Sequence, residues 1–151
     1  LVDLERNDMG RVCQPGSVNV TELMCLEQYS HVSHIVSNIE GKLNPNVTLY
    51  ELLKSLFPGG TITGCPKIRC MEIINELEPS SRGPYSGSLG YIGFCRQLDF
   101  NILIRTIFIK NGKASFHVGA GIVADSDPDN EYEETLSKAA AMIEVLSDPT
   151  C

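Results

Sequence analysis

Basic side chains are scarce in this chain of 151 residues, which has 12 Lys and Arg against 19 Asp and Glu and a net charge of −7. A protein that binds the phosphate backbone of nucleic acids needs a basic patch, and the sequence offers none. Long apolar runs are missing as well, since no segment approaches the about 20 apolar residues of a membrane span. We also find no secretory signal at the N-terminus. The sequence therefore predicts neither a nucleic-acid partner nor a membrane anchor.

Cysteine pairs of the kind that bind zinc are also absent. There is no C-x-x-C motif and no histidine cluster beside the cysteines, which argues against a zinc site. The cysteines occur within apolar stretches, so we expect mostly small buried side chains and not disulfides. Free thiols fit a reducing, cytoplasmic compartment. The six residues are Cys13, Cys25, Cys65, Cys70, Cys95 and Cys151.

What is present is the content of one ordinary globular domain, with 42% hydrophobic and 21% charged residues. A chain of this length buries about two-thirds of its unfolded surface. It starts at Leu1, without Met and inside an apolar element. We therefore expect a fragment of a longer protein.

Helix and strand signals alternate in the first half of the chain. The charged cluster Glu5–Asp8 is interpreted as a turn held by ion pairs and side-chain caps. Alternating apolar residues from His34 to Leu43 predict a strand. Thr48 is expected to begin a short helix, and Pro66 to begin another that ends before Pro79.

In the second half of the chain, apolar residues recur at every second position. Apolar alternation predicts strands at 89–94, 102–108 and 114–120, and Asn111-Gly112 predicts a hairpin between the last two. A final helix is expected over 128–146. The pattern predicts the α+β class, with an antiparallel sheet and helices packed on it.

Three charged residues share one face of the final helix, because residues i, i+3 and i+7 lie close together around a helix. Glu131, Glu134 and Lys138 follow a glycine-rich strand end at Gly119–Gly121. Two carboxylates and an ammonium there could hold Mg²⁺ together with an anionic ligand. The alternative is a solvated face with Glu–Lys pairs, each worth about 0.2–0.5 kcal/mol.

Arg105 is the single charged residue in an apolar segment that is predicted to be a strand. Burial of a guanidinium is costly without an acidic partner. Asp99 or Glu72 would be a structural partner, whereas a bidentate substrate carboxylate would be a functional one. Tyr85 could add its hydroxyl to the same carboxylate or serve only in packing.

A glycine-rich turn, Gly59–Gly64, precedes the helix that begins at Pro66. The free N–H groups of a helix N-terminus stabilise anions, and Thr61 and Thr63 add hydroxyl groups. An ordinary capped turn is the alternative interpretation.

Two histidines, His31 and His34, would point to opposite faces of a strand, so only one of them could line a pocket. A neutral histidine can exchange a proton with a leaving hydroxyl near neutral pH. A half-buried, hydrogen-bonded histidine is the ordinary alternative.

Taken in order, these motifs resemble the chorismate-utilising enzymes. This family includes component I of anthranilate synthase, component I of aminodeoxychorismate synthase, isochorismate synthases and salicylate synthases. The resemblance runs through nearly the whole chain, which makes a chance match improbable. It is carried by residues 1–8, 29–41, 60–72, 85–91, 104–105 and 119–138.

The resemblance implies a role for each candidate residue. Glu134 would bind Mg²⁺ directly and Glu131 through water, while Lys138 would contact the ring carboxylate of chorismate. His34 beside the leaving hydroxyl and Thr61 in the pocket would be the catalytic residues. The enolpyruvyl carboxylate would be bound by Tyr85, Arg105, Gly119 and Gly121.

Within the family, residues 57–67 and 76–79 are more similar to the aminodeoxychorismate branch than to the anthranilate branch. That branch replaces the 4-hydroxyl of chorismate with ammonia, which an amidotransferase partner releases from glutamine for para-aminobenzoate and folate synthesis. The alternatives are the anthranilate branch, which forms anthranilate and pyruvate, and a non-catalytic binding domain of the same fold.

The resemblance also implies the place of this chain in a larger fold. Residues 1–146 would be the C-terminal part of a chorismate-binding catalytic domain, a two-sheet sandwich, and residues 147–151 a tail. A catalytic lysine and a further Mg²⁺-binding glutamate would precede Leu1. The chain alone is therefore expected to be inactive.

Overall fold

Helices and two-stranded antiparallel sheets alternate along the chain, which confirms the predicted α+β class. The computed structural model describes residues 1–28 and 33–148. The chain divides into two units, Leu1–Pro79 and Ser80–Cys151. The first unit contains α1 (Val2–Gly10), β1 (Asn19–Gln28), β2 (Ser33–Glu40), α2 (Leu49–Leu56), α3 (Gly60–Thr63) and α4 (Lys67–Leu77). The second contains β3 (Ser88–Ile92), β4 (Leu98–Ile102), β5 (Phe108–Lys110), β6 (Lys113–Ser115) and α5 (Pro128–Ser147).

The charged cluster near the N-terminus lies in helix α1, so the predicted turn is wrong. No proline or glycine interrupts the segment before Gly10. The side chains of Arg6 and Asp3 form an ion pair of 3.0 Å at the i,i+3 spacing, which supports a helix. The ion pairing expected of this cluster therefore stabilises a helix.

Strands β1 and β2 form an antiparallel pair in which Leu26 lies opposite Ile35 and Glu27 opposite His34. This confirms the strand that was predicted from His34 onward, although β2 ends at Glu40 and not at the predicted Leu43. The ladder is irregular between Val20 and Cys25.

The predicted boundaries of α2 and α4 are confirmed. The Thr48 hydroxyl accepts a hydrogen bond from the Glu51 N–H, and the Glu51 carboxylate accepts one from the Thr48 N–H at 2.8 Å. The Thr48 hydroxyl also contacts the Glu51 carboxylate at 2.7 Å. The bond from the Thr48 N–H most of all, and then this hydroxyl contact, hold the pKa of the Glu51 carboxyl below its usual value. Helix α4 follows Pro66 and ends at the C-cap Glu78, because the residue before a proline is driven out of the helical region.

In the second unit, β3 pairs with β4 and β5 pairs with β6. Asn111 and Gly112 both have positive φ, 52° and 71°, as a two-residue hairpin turn requires. The predicted hairpin is thereby confirmed. The predicted strand 102–108 is wrong, since β4 ends at Ile102 and β5 starts at Phe108. Arg105 has a φ of 51° between them, which ends the extended conformation.

The third predicted strand, 114–120, is only partly formed, since β6 ends at Ser115. Helix α5 is confirmed and runs one residue past its predicted end. It begins at Asp127, whose carboxylate accepts a hydrogen bond from the Asn130 N–H at 3.1 Å. Its buried residues are Ala139 and Met142, whereas the apolar residues Leu136, Ile143 and Leu146 are exposed.

The cysteines differ from the prediction of buried side chains. Cys25, Cys65 and Cys95 are exposed, and Cys13 and Cys70 are half-buried. Cys25 lies on β1, whose large apolar side chains are themselves exposed. All five are free thiols, and burial raises the pKa of Cys13. Among the described residues, no helix combines the length and apolar character that crossing a membrane requires.

Candidate active site

Gly119 is the point where two of the predicted site residues meet. The ammonium of Lys138 donates a hydrogen bond to the Gly119 carbonyl oxygen at 3.2 Å. A Cβ atom on residue 119 would lie 2.9 Å from the Tyr85 hydroxyl. Only glycine leaves room for that approach. The structure therefore brings Tyr85, Gly119 and Lys138 together, although they are separated by up to 53 positions in the sequence.

Lys138 also contacts the acidic face of α5. Its ammonium nitrogen lies 2.5 Å from the Glu134 carboxylate, and both side chains are partly exposed. An ammonium has three N–H groups, and the carbonyl of Gly119 and the carboxylate of Glu134 use two of them. The remaining N–H can donate to an anionic ligand.

Glu131 has a carboxylate oxygen that lacks a hydrogen-bond partner among residues 1–28 and 33–148. The Ser126 hydroxyl donates to one oxygen at 2.5 Å. The other oxygen is buried without a hydrogen bond. A buried acceptor left in this state costs about 1–3 kcal/mol. A cation or a donor group of a ligand would remove that cost.

The two carboxylates of α5 fit Mg²⁺, which prefers carboxylate oxygens and keeps several waters. Glu131 supplies the unpartnered oxygen, and Glu134 supplies a partly exposed carboxylate one turn further along. Within residues 1–28 and 33–148 there is no cluster of three His, Cys, Asp or Glu side chains that could hold a metal ion. Among the described residues, Glu131 and Glu134 are therefore the carboxylate ligands that we consider for this site.

Two residues that the sequence did not indicate hold Tyr85. The ring of His117 stacks on the Tyr85 ring, with centroids 5.6 Å apart. The guanidinium of Arg82 lies 5.7 Å from the centre of the same ring, and it donates to the Ser86 hydroxyl at 3.1 Å. The available signal was that His117 stands two residues before Gly119, so the predicted strand over 114–120 would place both on the same side.

Arg105 is exposed, and neither predicted acidic partner neutralises it. No ion pair of its guanidinium is found in the part of the chain that the structure describes. Glu72 pairs with Arg69 at 2.9 Å, and Asp99 lies opposite Tyr91 in the β3–β4 ladder. The guanidinium is therefore accessible to a ligand. Gly121 is also open, since a Cβ there would have no neighbour within 4 Å.

In the first unit, the glycine-rich turn Gly59–Gly64 already binds carboxylates of the protein itself. The Gly60 N–H donates to the Asp8 carboxylate at 3.0 Å. The Thr61 hydroxyl donates to the Glu5 carboxylate at 3.0 Å, and the Thr63 hydroxyl contacts the Gly59 carbonyl at 3.2 Å. Two acidic side chains of α1 thus accept the hydrogen bonds of donors that the sequence analysis assigned to an external anion.

A buried ion pair joins the same region. Asp8 is 1% exposed, and its carboxylate lies 2.9 Å from the ammonium of Lys67. That ammonium also donates to the Ser55 carbonyl at 2.9 Å, while the Ser55 hydroxyl donates to the Asp8 carbonyl at 2.6 Å. The network links α1, α2 and α4. The sequence indicated a charged cluster at Asp8 but could not pair it with a residue 59 positions away.

The remaining catalytic candidate, His34, lies on β2 opposite Glu27. His31 falls outside the described residues, so the expected contrast between the two histidines stays a prediction. His34 and Thr61 belong to the first unit. The candidates in the second unit are Tyr85, Arg105, Gly119, Gly121, Glu131, Glu134 and Lys138.

Comparison with known proteins gives a family match over almost the whole chain. The family described as chorismate binding enzyme matches residues 1–144. An anthranilate synthase component I-like protein of Synechocystis is 60% identical over 97% of this chain and 30% of its own length. Aminodeoxychorismate synthase component 1 of Bacillus subtilis is 55% identical over 97% of this chain and 31% of its own length.

A solved structure gives the same result at the level of the fold. The crystal structure of anthranilate synthase component I from Streptococcus pneumoniae matches with a TM-score of 0.86 and 46% identity. The match covers 94% of this chain and 33% of that protein. The chain thus spans about a third of the length of the relatives that it matches.

Proposed function

Because the chain belongs to the chorismate-binding enzyme family, we propose that it forms the chorismate-binding part of an aminodeoxychorismate synthase component I. In the proposed reaction a bond forms between the nitrogen of ammonia and the carbon that bears the 4-hydroxyl. The bond from that carbon to the hydroxyl oxygen breaks. The products are 4-amino-4-deoxychorismate and water.

The main observation in support of the proposal is that Tyr85 and Lys138, which are distant in the sequence, both lie next to Gly119. Chorismate carries two carboxylates, and a dianion needs donors at both ends. In the proposed arrangement the remaining N–H of Lys138 binds the ring carboxylate. The Tyr85 hydroxyl, Arg105 and the backbone of Gly119 and Gly121 bind the enolpyruvyl carboxylate.

Glu134 and Glu131 are the proposed Mg²⁺ ligands of this chain. The unpartnered oxygen of Glu131 supports this assignment. When bound, the ion would supply positive charge opposite the ring carboxylate. Lys138, which already neutralises Glu134, would orient that carboxylate toward the same ligand.

His34 and Thr61 are proposed to serve the exchange at the 4-position. The role of His34 is to give a proton to the departing hydroxyl, which leaves as water. The role of Thr61 is to bind a polar group next to the reacting carbon. Both belong to the first unit.

An amidotransferase subunit is the proposed partner of the whole protein. Ammonia is largely protonated in neutral water, and ammonium has no lone pair for attack. Delivery from glutamine inside a protein complex avoids that loss. The proposed compartment is the cytoplasm, where the free thiols would stay reduced.

The second candidate is anthranilate synthase component I, which two relatives favour by their names and by 60% and 58% identity. We prefer the aminodeoxychorismate branch because residues 57–67 resemble it, including Thr63 and Cys65 where anthranilate synthases tend to have serine and alanine.

Product analysis of the full-length protein tests the choice. Purified protein is incubated with chorismate, Mg²⁺ and ammonia, and the products are identified by mass spectrometry. We expect 4-amino-4-deoxychorismate. Anthranilate together with pyruvate would overturn the proposal in favour of the second candidate, and chorismate binding without turnover would indicate a binding domain.

A further inference from the structure

We infer that Glu5 is a positioning residue that makes the Thr61 hydroxyl a hydrogen-bond acceptor toward the substrate. The inference rests on the proposed function, because that proposal puts Thr61 in the chorismate pocket. It adds a residue of α1 to the site and states which kind of substrate group Thr61 can bind.

The first step concerns the hydroxyl proton of Thr61. Its oxygen lies 3.0 Å from a carboxylate oxygen of Glu5, and both side chains are half-buried. An ionised carboxylate only accepts hydrogen bonds, so the proton of this contact comes from Thr61. The hydroxyl has a single proton. Its oxygen therefore keeps only lone pairs for any other partner.

The second step concerns the rigidity of the contact. Glu5 and Asp8 are three residues apart, so they lie on one face of α1. Asp8 accepts the Gly60 N–H at 3.0 Å. A Cβ on Gly60 would lie 3.2 Å from the Asp8 carboxylate and 3.3 Å from the Cβ of Leu4. Helices α1 and α3 are thus in close contact one residue before Thr61.

The third step concerns charge and attachment. Lys67, at the start of α4, lies 2.9 Å from the Asp8 carboxylate and also donates to the Ser55 carbonyl. The segment between Gly60 and Lys67 is therefore attached at both ends to Asp8. These contacts hold the backbone on both sides of Thr61 next to α1, which keeps the Thr61 hydroxyl within reach of Glu5.

The chemical consequence is a selection among substrate groups. A free hydroxyl proton would suit a carboxylate, but an oxygen with only lone pairs repels one. Thr61 must then face a group that carries a proton, either the 4-hydroxyl of the substrate or an N–H of the incoming ammonia.

A double-mutant cycle in the full-length protein tests the inference. Glu5→Leu removes the acceptor, Glu5→Gln keeps one through its amide oxygen, and Thr61→Val removes the hydroxyl. We expect Glu5→Leu to lower kcat/KM about three- to tenfold, as the loss of one hydrogen bond would, and Glu5→Gln to retain most of it. In the Thr61→Val background, Glu5→Leu should change kcat/KM by less than about twofold, because the two residues act as one unit.

The contrary result is that Glu5→Leu lowers kcat/KM equally with and without the Thr61 hydroxyl. That result would overturn the inference, because Glu5 would then be a structural residue. Asp3→Leu, on the exposed side of the same helix, is the matched control and should leave kcat/KM unchanged. The cycle is read on whichever product is formed, so a wrong choice of branch does not affect it. If the protein binds chorismate without turnover, the same cycle is measured on Kd by calorimetry, with the same two outcomes.

Discussion

The imidazole ring of His117 stacks on the phenol ring of Tyr85, with centroids 5.6 Å apart and planes inclined by 19°. Arg82 contacts the same phenol ring, and Gly119 leaves space at its hydroxyl. The position of the hydroxyl therefore depends on Gly119 and on two residues, His117 and Arg82, that do not themselves belong to the proposed ligand contacts.

Replacement of His117 by leucine is expected to raise KM for chorismate about three- to tenfold with little change in kcat. Aromatic stacking is worth about 0.5–1.5 kcal/mol, and its loss lets Tyr85 leave its binding position. Tyr85→Phe should raise KM at least as much. Tyr91→Phe, on an exposed strand residue, is the control. Steady-state kinetics that showed an unchanged KM for His117→Leu would mean that the stacking has no part in binding.

Arg105→Ala is expected to raise KM for chorismate about 10- to 100-fold, because hydrogen bonds to charged groups are worth about 1.5–3 kcal/mol. Arg105→Lys should recover only part of this, since an ammonium cannot make the bidentate contact. Arg96→Ala is a matched control, because Arg96 is also exposed and also has positive φ. Equal KM values for the two alanine variants would show that Arg105 has no role in binding.

Glu134→Gln is expected to raise the Mg²⁺ concentration for half-maximal activity at least about tenfold, because an amide is a much weaker ligand than a carboxylate. Glu133→Gln changes the neighbouring residue, which points about 100° away around the helix, and should leave the Mg²⁺ dependence unchanged. A Mg²⁺ titration of activity distinguishes the two variants. Full Mg²⁺-dependent turnover by Glu134→Gln would rule out the metal site on α5.

Lys67→Met is expected to lower the free energy of unfolding by about 3–5 kcal/mol, because it leaves the buried Asp8 carboxylate without its cation. Asp3→Asn, which breaks the exposed pair with Arg6, should cost less than about 1 kcal/mol. Urea titrations of the full-length protein measure both values. If the two variants lost similar free energies, the Asp8–Lys67 pair would not be an important stabilising contact.

Thr48→Val is expected to bring the pKa of Glu51 only part of the way back to its ordinary value, because it removes the hydroxyl that contacts this carboxylate but keeps the backbone N–H, which lowers the pKa most. Since the folded-state pKa is lowered, the capping box contributes stability above the ordinary pKa of a glutamate. This contribution is lost as the pH falls through the folded-state pKa. An NMR titration of Glu51 measures the shift, and Thr48→Ser, which keeps the hydroxyl, should retain it.

Local signals were sufficient for several elements of the fold. The capping box at Thr48, the end of α4 before Pro79 and the turn at Asn111-Gly112 lie where the sequence predicts them. Each depends on contacts within a few residues along the chain. The same holds for the pairing of Glu134 with Lys138 on α5.

Predictions from local signals were wrong where the structure depends on the backbone conformation of a single residue or on packing between distant segments. The apolar segment around Arg105 was predicted to be one strand, but the positive φ of Arg105 divides this segment between two strands. Cys25 and Cys95 were predicted to be buried, but they are exposed. The sequence shows that their neighbours are apolar, but it does not show whether another element packs over them.

The sequence by itself determined the α+β class, the start of α2, the limits of α4 and α5, and the residue types that a chorismate site requires, because period, capping and turn residues act over short distances. Only the tertiary structure decided that Asp8 contacts Lys67 and Gly60, that Glu5 accepts a hydrogen bond from the Thr61 hydroxyl, and that His117 stacks on Tyr85. These partners are between 32 and 59 positions apart. No local pattern encodes such contacts, because they exist only once helices and strands have packed.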